Sequence, residues 1–185
     1  MKIATLGKGK IGGGLADLWG RAGHEVTRLG HEGGDVSAAD VVLIAVPGGK
    51  VAEALAGVTG IEGKTTIDAT NLFGDVKAPA GFDSNAEFVK SVTGGPTAKS
   101  FNINFAALFD RIGEAGSTPS NLWCGDEEAR GVVEQLIRDA GYDPVCAGPL
   151  QNAALQEAFL PLMFAISKEG GNGQFFYRMA PPEQL

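Results

Sequence analysis

The run Val-Val-Leu-Ile-Ala-Val at residues 41–46 is apolar at every position and is closed by Pro47 and Gly48. A strand of this kind needs cover on both faces, which places it in the middle of a parallel sheet with helices above and below. The rest of the chain keeps a matching rhythm. Strand-like segments at 2–6, 25–29, 65–69, 98–101, 120–124 and 144–147 alternate with helix-like segments at 11–22, 50–56, 86–91, 126–140 and 151–167. Such alternation predicts an α/β protein. Asp126 is expected to cap its helix and Gly141 to stop it. The long helix at 151–167 is expected to be mostly buried and to bend at Pro161.

Between the first strand and the first helix stands Gly7-Lys8-Gly9-Lys10-Ile11-Gly12, a GxGxxG pattern in the setting that gives it meaning. Gly7 permits a tight turn, Gly9 lets a diphosphate approach the backbone, and Gly12 lets the helix lie against the strand. The unpaired N–H groups at the helix start then attract the anion. No GKS or GKT follows at Walker spacing, so the turn points to a dinucleotide and away from phosphoryl transfer. The fold this predicts is a Rossmann-type doubly wound parallel sheet with a small helical C-terminal extension. The division expected is a nucleotide-binding unit over 1–148, with 149–185 packing on it as a dependent helix and tail.

Composition narrows the partners. With 15 Lys and Arg against 22 Asp and Glu the formal charge is −7, which opposes a nucleic-acid backbone or an anionic membrane surface as the main partner. No apolar run approaches the roughly 20 residues needed to cross a bilayer, and Met1 leads straight into the first strand, so a cytoplasmic protein without a leader is expected. Cys124 and Cys146 lack the spacing of a metal or redox pair and are expected to be buried and inert. No metal site is predicted. His24, beside the Gly23 turn, is read as structural.

The choice of nicotinamide coenzyme falls to Arg28-Leu29-Gly30-His31-Glu32 at the end of the second strand. An acid there hydrogen-bonds the ribose 2′-hydroxyl of NAD, whereas a cation accommodates the 2′-phosphate of NADP. Gly30 flanked by Arg28 and His31 inclines the reading to NADP, while Glu32, about 20 residues past the glycines, is where an NAD enzyme would carry its acid. Lys8 and Lys10 either add charge beside the diphosphate or are solvated. The ribose and nicotinamide should lie along Ala45, Val46 and Pro47, with Asn71 offering an amide to the ring or capping its own turn. Lys99 and Asn102 close a further strand facing the same crevice, with an exposed lysine and a turn asparagine as the plainer alternative. Oxidation of an alcohol needs a positioned acid or base, yet both histidines lie on the adenosine half. Hydride exchange between two ring cofactors needs mainly proximity and orientation.

The motifs resemble those of the NADP-dependent coenzyme F-420 reductases, or F-420:NADP oxidoreductases. The likeness spans nearly the whole chain: GxGxxGxxLA at 7–16, Gly-His-Glu at 23–25, Asp-Val-Val-Leu-Ile-Ala-Val-Pro at 40–47, Ile-Asp-Ala-Thr-Asn at 67–71, Lys-Ser-Phe-Asn at 99–102, and Gly-Pro-Leu at 148–150 with Glu157 following. The resemblance implies NADP in the cradle on Lys8, Gly9, Lys10 and Ile11, with Gly30 and His31 at the 2′-phosphate. It places Val46 and Pro47 at the ribose edge and Asn71 near the reacting rings, and it implies a homodimer. Two features depart from the family: Gly30-His31 stands in place of Ser/Thr-Arg, and Leu72 in place of proline. Only ten residues separate Leu29 from Asp40, so the adenosine side is short of a full helix and third strand.

The resulting expectation is an NADP(H)-dependent oxidoreductase passing hydride to a small-molecule acceptor, coenzyme F-420 or a flavin, under cover of the last helix and the aromatic tail Phe175 to Tyr177. The alternatives are an NADP(H)-binding sensor or scaffold without turnover, and a degenerate domain that binds nothing.

Overall fold

The computed structural model describes residues 1–30 and 32–184. Seven strands form the main sheet: β1 (Lys2–Leu6), β2 (Glu25–Leu29), β4 (Val41–Ile44), β6 (Thr65–Asp68), β7 (Thr97–Ser100), β8 (Ser120–Gly125) and β9 (Asp143–Cys146). Their order is β2-β1-β4-β6-β7-β8-β9. Two short strands, β3 (Gly34–Asp35) and β5 (Val58–Thr59), pair with each other outside it. That small ladder stands where the sequence lacks room for a complete helix and third strand. The α-helices are α1 (Lys10–Arg21), α2 (Val51–Ala56), α3 (Asn85–Thr93), α4 (Arg130–Asp139) and α5 (Ala153–Lys168). The first five strands of the main sheet are parallel, and the whole is the doubly wound Rossmann-type arrangement expected. None of the described helices is long and apolar enough to cross a membrane.

β4 explains why the sheet is covered on both sides. Val41 and Leu43 enter one core cluster with Leu15, Trp19, Phe101 and Leu136. Val42 and Ile44 enter the other with Leu6, Val51, Leu55 and Val89. Alternation along a single strand thus feeds two cores. His24 serves structure as expected: its Nε2 lies 2.8 Å from Asp139 Oδ2 and joins the end of α1 to the end of α4.

Several expectations are corrected. The strand at 41–46 ends at Ile44: Ala45 N–H makes a last bond to the Leu6 carbonyl at 2.8 Å, and the Ala45 carbonyl backs onto Gly7 of the glycine-rich turn. β8 runs antiparallel to β7, with Ala98 opposite Gly125 and Ser100 opposite Trp123. Parallel neighbours need a crossover, usually helical; here the connection is a 3₁₀ stretch (Ala106–Glu114) whose Phe109 packs against Gly14 of α1. Asp126 does not cap its helix with its side chain. Its carboxylate instead accepts from Lys90 Nζ at 2.7 Å and from Thr97 N–H at 2.9 Å.

The helix α5 is not mostly buried. Only Ala153, Gln156, Glu157 and Met163 are, while Leu155 and Leu162 are 70% and 50% exposed. Cys146, on the edge strand β9, is exposed, and Cys124 is buried. Burial pushes the Cys124 thiol up to about 12, so it stays protonated and unreactive near neutrality. Titration with a thiol reagent is expected to find one reactive group per native chain, Cys146, and a second after denaturation.

Candidate dinucleotide-binding site

Three glycines of the first turn do different work. Gly7 has a φ of +116°, and a Cβ there would overlap the Ala45 carbonyl oxygen. Its N–H donates to the Leu29 carbonyl at 2.9 Å. A Cβ on Gly12 would overlap the Gly7 carbonyl oxygen. These two let β1, α1 and β4 close together. Gly9 differs: a Cβ on it would meet no protein atom within 4 Å, and its backbone is extended. It stands at the N-cap of α1, with no side-chain cap and no acidic residue in the first turn. The first intrahelical bond there runs from Gly13 N–H to the Gly9 carbonyl at 2.7 Å, so the N–H groups of Lys10, Ile11 and Gly12 lack helical partners. Open space, free donors and an uncompensated positive dipole end coincide at Gly9.

The adenosine end carries mixed charge. Gly30 is buried after β2, and a Cβ on it would overlap the Glu32 carboxylate. The same carboxylate lies 3.5 Å from Lys8 Nζ. Arg28 is 2.6 Å from Asp17 of α1, both partly exposed. His31 lies outside the described residues. Lys10 and Ile11 open α1, the former exposed.

At the other end of the crevice Ala45 and Val46 are half-buried and Pro47 is exposed. The Pro47 carbonyl accepts from Lys50 N–H at 2.8 Å and turns the chain into α2. Asn71 and Asn102 lie together. Asn102 Nδ2 donates to Asn71 Oδ1 at 2.9 Å, and Asn71 Nδ2 donates to the Asn102 carbonyl at 2.8 Å. Asn71 therefore does not cap its own turn.

Lys99 is wholly buried, against the plainer expectation. Its ammonium donates to Asp68 Oδ2 at 2.8 Å, to Glu157 Oε1 at 2.6 Å and to the Thr70 carbonyl at 2.5 Å. Asp68 Oδ1 accepts from Thr70 N–H at 2.9 Å, and Glu157 Oε2 from Leu72 N–H at 2.9 Å. Gln156 adds bonds from Nε2 to Asn102 Oδ1 at 2.7 Å and to the Leu122 carbonyl at 3.1 Å. One buried network thus ties β6, β7, α5 and the loop that carries Asn71. Sequence reading placed Lys99 and Asn102 at the crevice but missed Asp68, Gln156 and Glu157 as its partners. The signal available was a charge inside each of two predicted strands; Asp68 and Lys99 are register partners.

Phe101, between Lys99 and Asn102, has a φ of +61°. Its ring meets Trp19 edge-on at 5.7 Å, and its N–H donates to Asn121 Oδ1 at 3.3 Å. Packing thus holds a conformation a phenylalanine seldom adopts. Beyond it Phe73, Phe164, Phe105 and Phe175 form a chain of edge contacts 5.5–6.2 Å apart. The tail docks on β8: Ser120 N–H donates to the Tyr177 carbonyl at 2.8 Å, and Leu122 N–H to Tyr177 Oη at 3.2 Å. Phe176 packs against the larger core cluster.

No family model and no curated protein matches the chain. Solved structures do. A protein from an Arthrobacter species, provisionally described as an F-420-dependent NADP reductase, is 24% identical with a TM-score of 0.81, covering 98% of this chain and 100% of that one. A reductive aminase from Aspergillus terreus in complex with NADPH and ethyl levulinate is 18% identical with a TM-score of 0.65, covering 89% of this chain and 61% of that one. The 3-hydroxyisobutyrate dehydrogenase of Mycobacterium tuberculosis is 15% identical with a TM-score of 0.65, covering 91% of this chain and 62% of that one. At these identities the likeness establishes the fold.

Two expectations follow from the geometry. Gly9→Val should leave the melting temperature close to that of the parent, whereas Gly7→Val, at a positive φ, should cost about 1–3 kcal/mol from backbone strain alone. Lys99→Met strands two buried carboxylates and should cost about 3–5 kcal/mol in urea unfolding.

Proposed function

We propose that the protein is an NADP(H)-dependent oxidoreductase that exchanges hydride between the nicotinamide and a second planar ring cofactor, coenzyme F-420 or a flavin. The observation that carries the reading is the opening at Gly9. Unpaired N–H groups stand beside open space, where a Cβ on Gly9 would touch no protein atom; such an opening suits a diphosphate and serves no packing purpose. The motif resemblance to the F-420:NADP oxidoreductases and the described identity of the Arthrobacter protein agree with it.

In this reading the N–H groups of Lys10, Ile11 and Gly12 bind the diphosphate, with Lys8 beside them. Val46 and Pro47 line the ribose, and the Asn71–Asn102 pair fixes the loop beside the ring. The coenzyme supplies the hydride when bound. Lys99, the nearby lysine that could otherwise hand a proton to an alcohol or imine substrate, is held by three acceptors in full burial. That favours an acceptor whose own ring manages the proton over one that needs a protein acid. The edge-packed phenylalanines beside α5 offer such an acceptor an aromatic wall.

One observation favours NAD over NADP: the Glu32 carboxylate lies over Gly30, while Arg28 is engaged by Asp17. We retain NADP(H) because Lys8 and Arg28 both stand at this end and a 2′-phosphate can draw them from exposed carboxylates. Glu32→Gln should then tighten NADPH binding several-fold and weaken NADH binding, read by calorimetry.

Gly9→Val should weaken NADPH binding by at least about tenfold, the equivalent of one lost charge-assisted hydrogen bond. Mixing NADPH with a deazaflavin, flavins and ferric chelates tests turnover. Oxidation above background with a ring acceptor supports the proposal; tight binding without oxidation by any of them would make the protein a sensor or scaffold. Absence of binding would reject both.

A further inference from the structure

Between α5, the end of the sheet and the C-terminal tail lies a hollow of about 240 Å³ whose lining includes none of the residues assigned to the dinucleotide. Its apolar walls are Leu122 of β8, Ala147 after β9, Leu155 and Phe159 of α5, and Met179 of the tail. The tail wall is fastened, with Met179 N–H donating to Ser120 Oγ at 2.9 Å. Two amides complete the lining: Asn152 at the N-cap of α5 and Gln156 one turn further on. No ionisable side chain takes part among the described residues. Each amide has spent its donor and kept its acceptor. Asn152 Nδ2 donates to the Ala147 carbonyl at 2.6 Å. Gln156 Nε2 faces Asn102 Oδ1 and the Leu122 carbonyl, which fixes its orientation, because turned over its oxygen would meet two other acceptors. Asn152 is half-buried, so water can reach its oxygen. Gln156 is only 6% exposed, and its Oε1 has no hydrogen-bond partner. Native structures rarely leave such an acceptor unmet.

We propose that this hollow takes a small neutral aromatic molecule carrying one O–H or N–H group, which donates to Gln156 Oε1, and that its arrival is felt at Asn71. Size sets the first limit. An apolar cavity of roughly 150 Å³ already holds benzene, and drug-sized ligands occupy roughly 300 Å³ or more, so the hollow suits one ring or two fused rings. Charge sets the second, since an ion here would lose its water and find no opposite charge. Phe159 and Met179 favour a ring over an aliphatic chain, the one through edge contacts and the other through its soft sulfur. The unmet oxygen asks for a donor. Gln156 then carries the event onward: its Nε2 donates to Asn102 Oδ1, and Asn102 Nδ2 donates to Asn71 Oδ1. A donor arriving on Oε1 polarises the amide and strengthens the bond its Nε2 makes. The occupant and the loop bearing Asn71 are thus two ends of one chain of three amides. The site is independent of whether a dinucleotide binds at Gly9.

Phenol and anisole share a ring and differ in the donor, and serve as probes on isotope-labelled protein without coenzyme, read by the side-chain amide signals in its NMR spectrum. Phenol should bind saturably at millimolar concentration and shift the signals of Gln156, Asn102 and Asn71. Anisole sets a second acceptor against Oε1 and should bind at least about tenfold more weakly, the worth of one buried hydrogen bond. L122F and M179W extend a ring into the hollow from the sheet and from the tail; each should abolish the phenol shifts at the melting temperature of the parent. The comparison of phenol with anisole on the parent protein decides the matter even where a variant folds poorly. Absence of a saturable phenol shift overturns the proposal, as does anisole binding as tightly as phenol. So does a Gln156 shift that leaves Asn102 and Asn71 unmoved, or phenol binding that survives in folded L122F and M179W.

Discussion

The Lys99 ammonium has three N–H groups, and each is spent on an acceptor out of reach of water. A desolvated charge is tolerable only when fully partnered, and the partners here come from β6, the loop after it and α5. Because Glu157 also accepts from Leu72 N–H, the carboxylate that neutralises the lysine fixes the chain just beyond Asn71. Position of the last helix and shape of the crevice are therefore one condition. α5 is held to the sheet by the polar contacts of Gln156 and Glu157 together with buried Ala153 and Met163.

The parts of the fold that sequence made legible are those in which a local pattern has a single structural meaning. The unbroken apolar run at 41–46 could only be an interior strand, and strand-GxGxxG-helix marks the tight turn by which β1 enters α1. Direction is different. β8 has the same apolar pattern read forwards or backwards, so its antiparallel course was invisible until the 3₁₀ stretch on α1 replaced a crossover. The three glycines of the turn are likewise identical in sequence. Only the Ala45 carbonyl behind Gly7, the Gly7 carbonyl behind Gly12 and the empty space at Gly9 separate packing from binding. Lys99 could be placed at the crevice or left exposed, but not paired, because register, which sets it opposite Asp68, is not written in either strand. Cys146 and the outer side of α5 were misjudged for a related reason: apolar neighbours imply burial only when a neighbouring element is present to supply it.

Labour is divided along the chain. In the proposed reading, β1 through β4 and the residues just after them supply the anion cradle and the ribose edge. The second half sets the loop bearing Asn71 and the aromatic wall. The adenosine side, with its two-residue strands β3 and β5, is the sparsest part of the frame, and its charges are exposed and adjustable.

Phe101 joins these halves. Its left-handed backbone delivers Asn102 to Asn71, and it is kept there by Trp19 of α1 and Asn121 of β8. A residue held against its own preference relaxes when either support loosens. Under the proposed function, gentle warming or fraying at the far edge of the sheet would loosen the Asn71–Asn102 pair, and with it the aim of a bound ring, before it loosened the turn at Gly9. Grip and aim would then be separable, with different thermal limits.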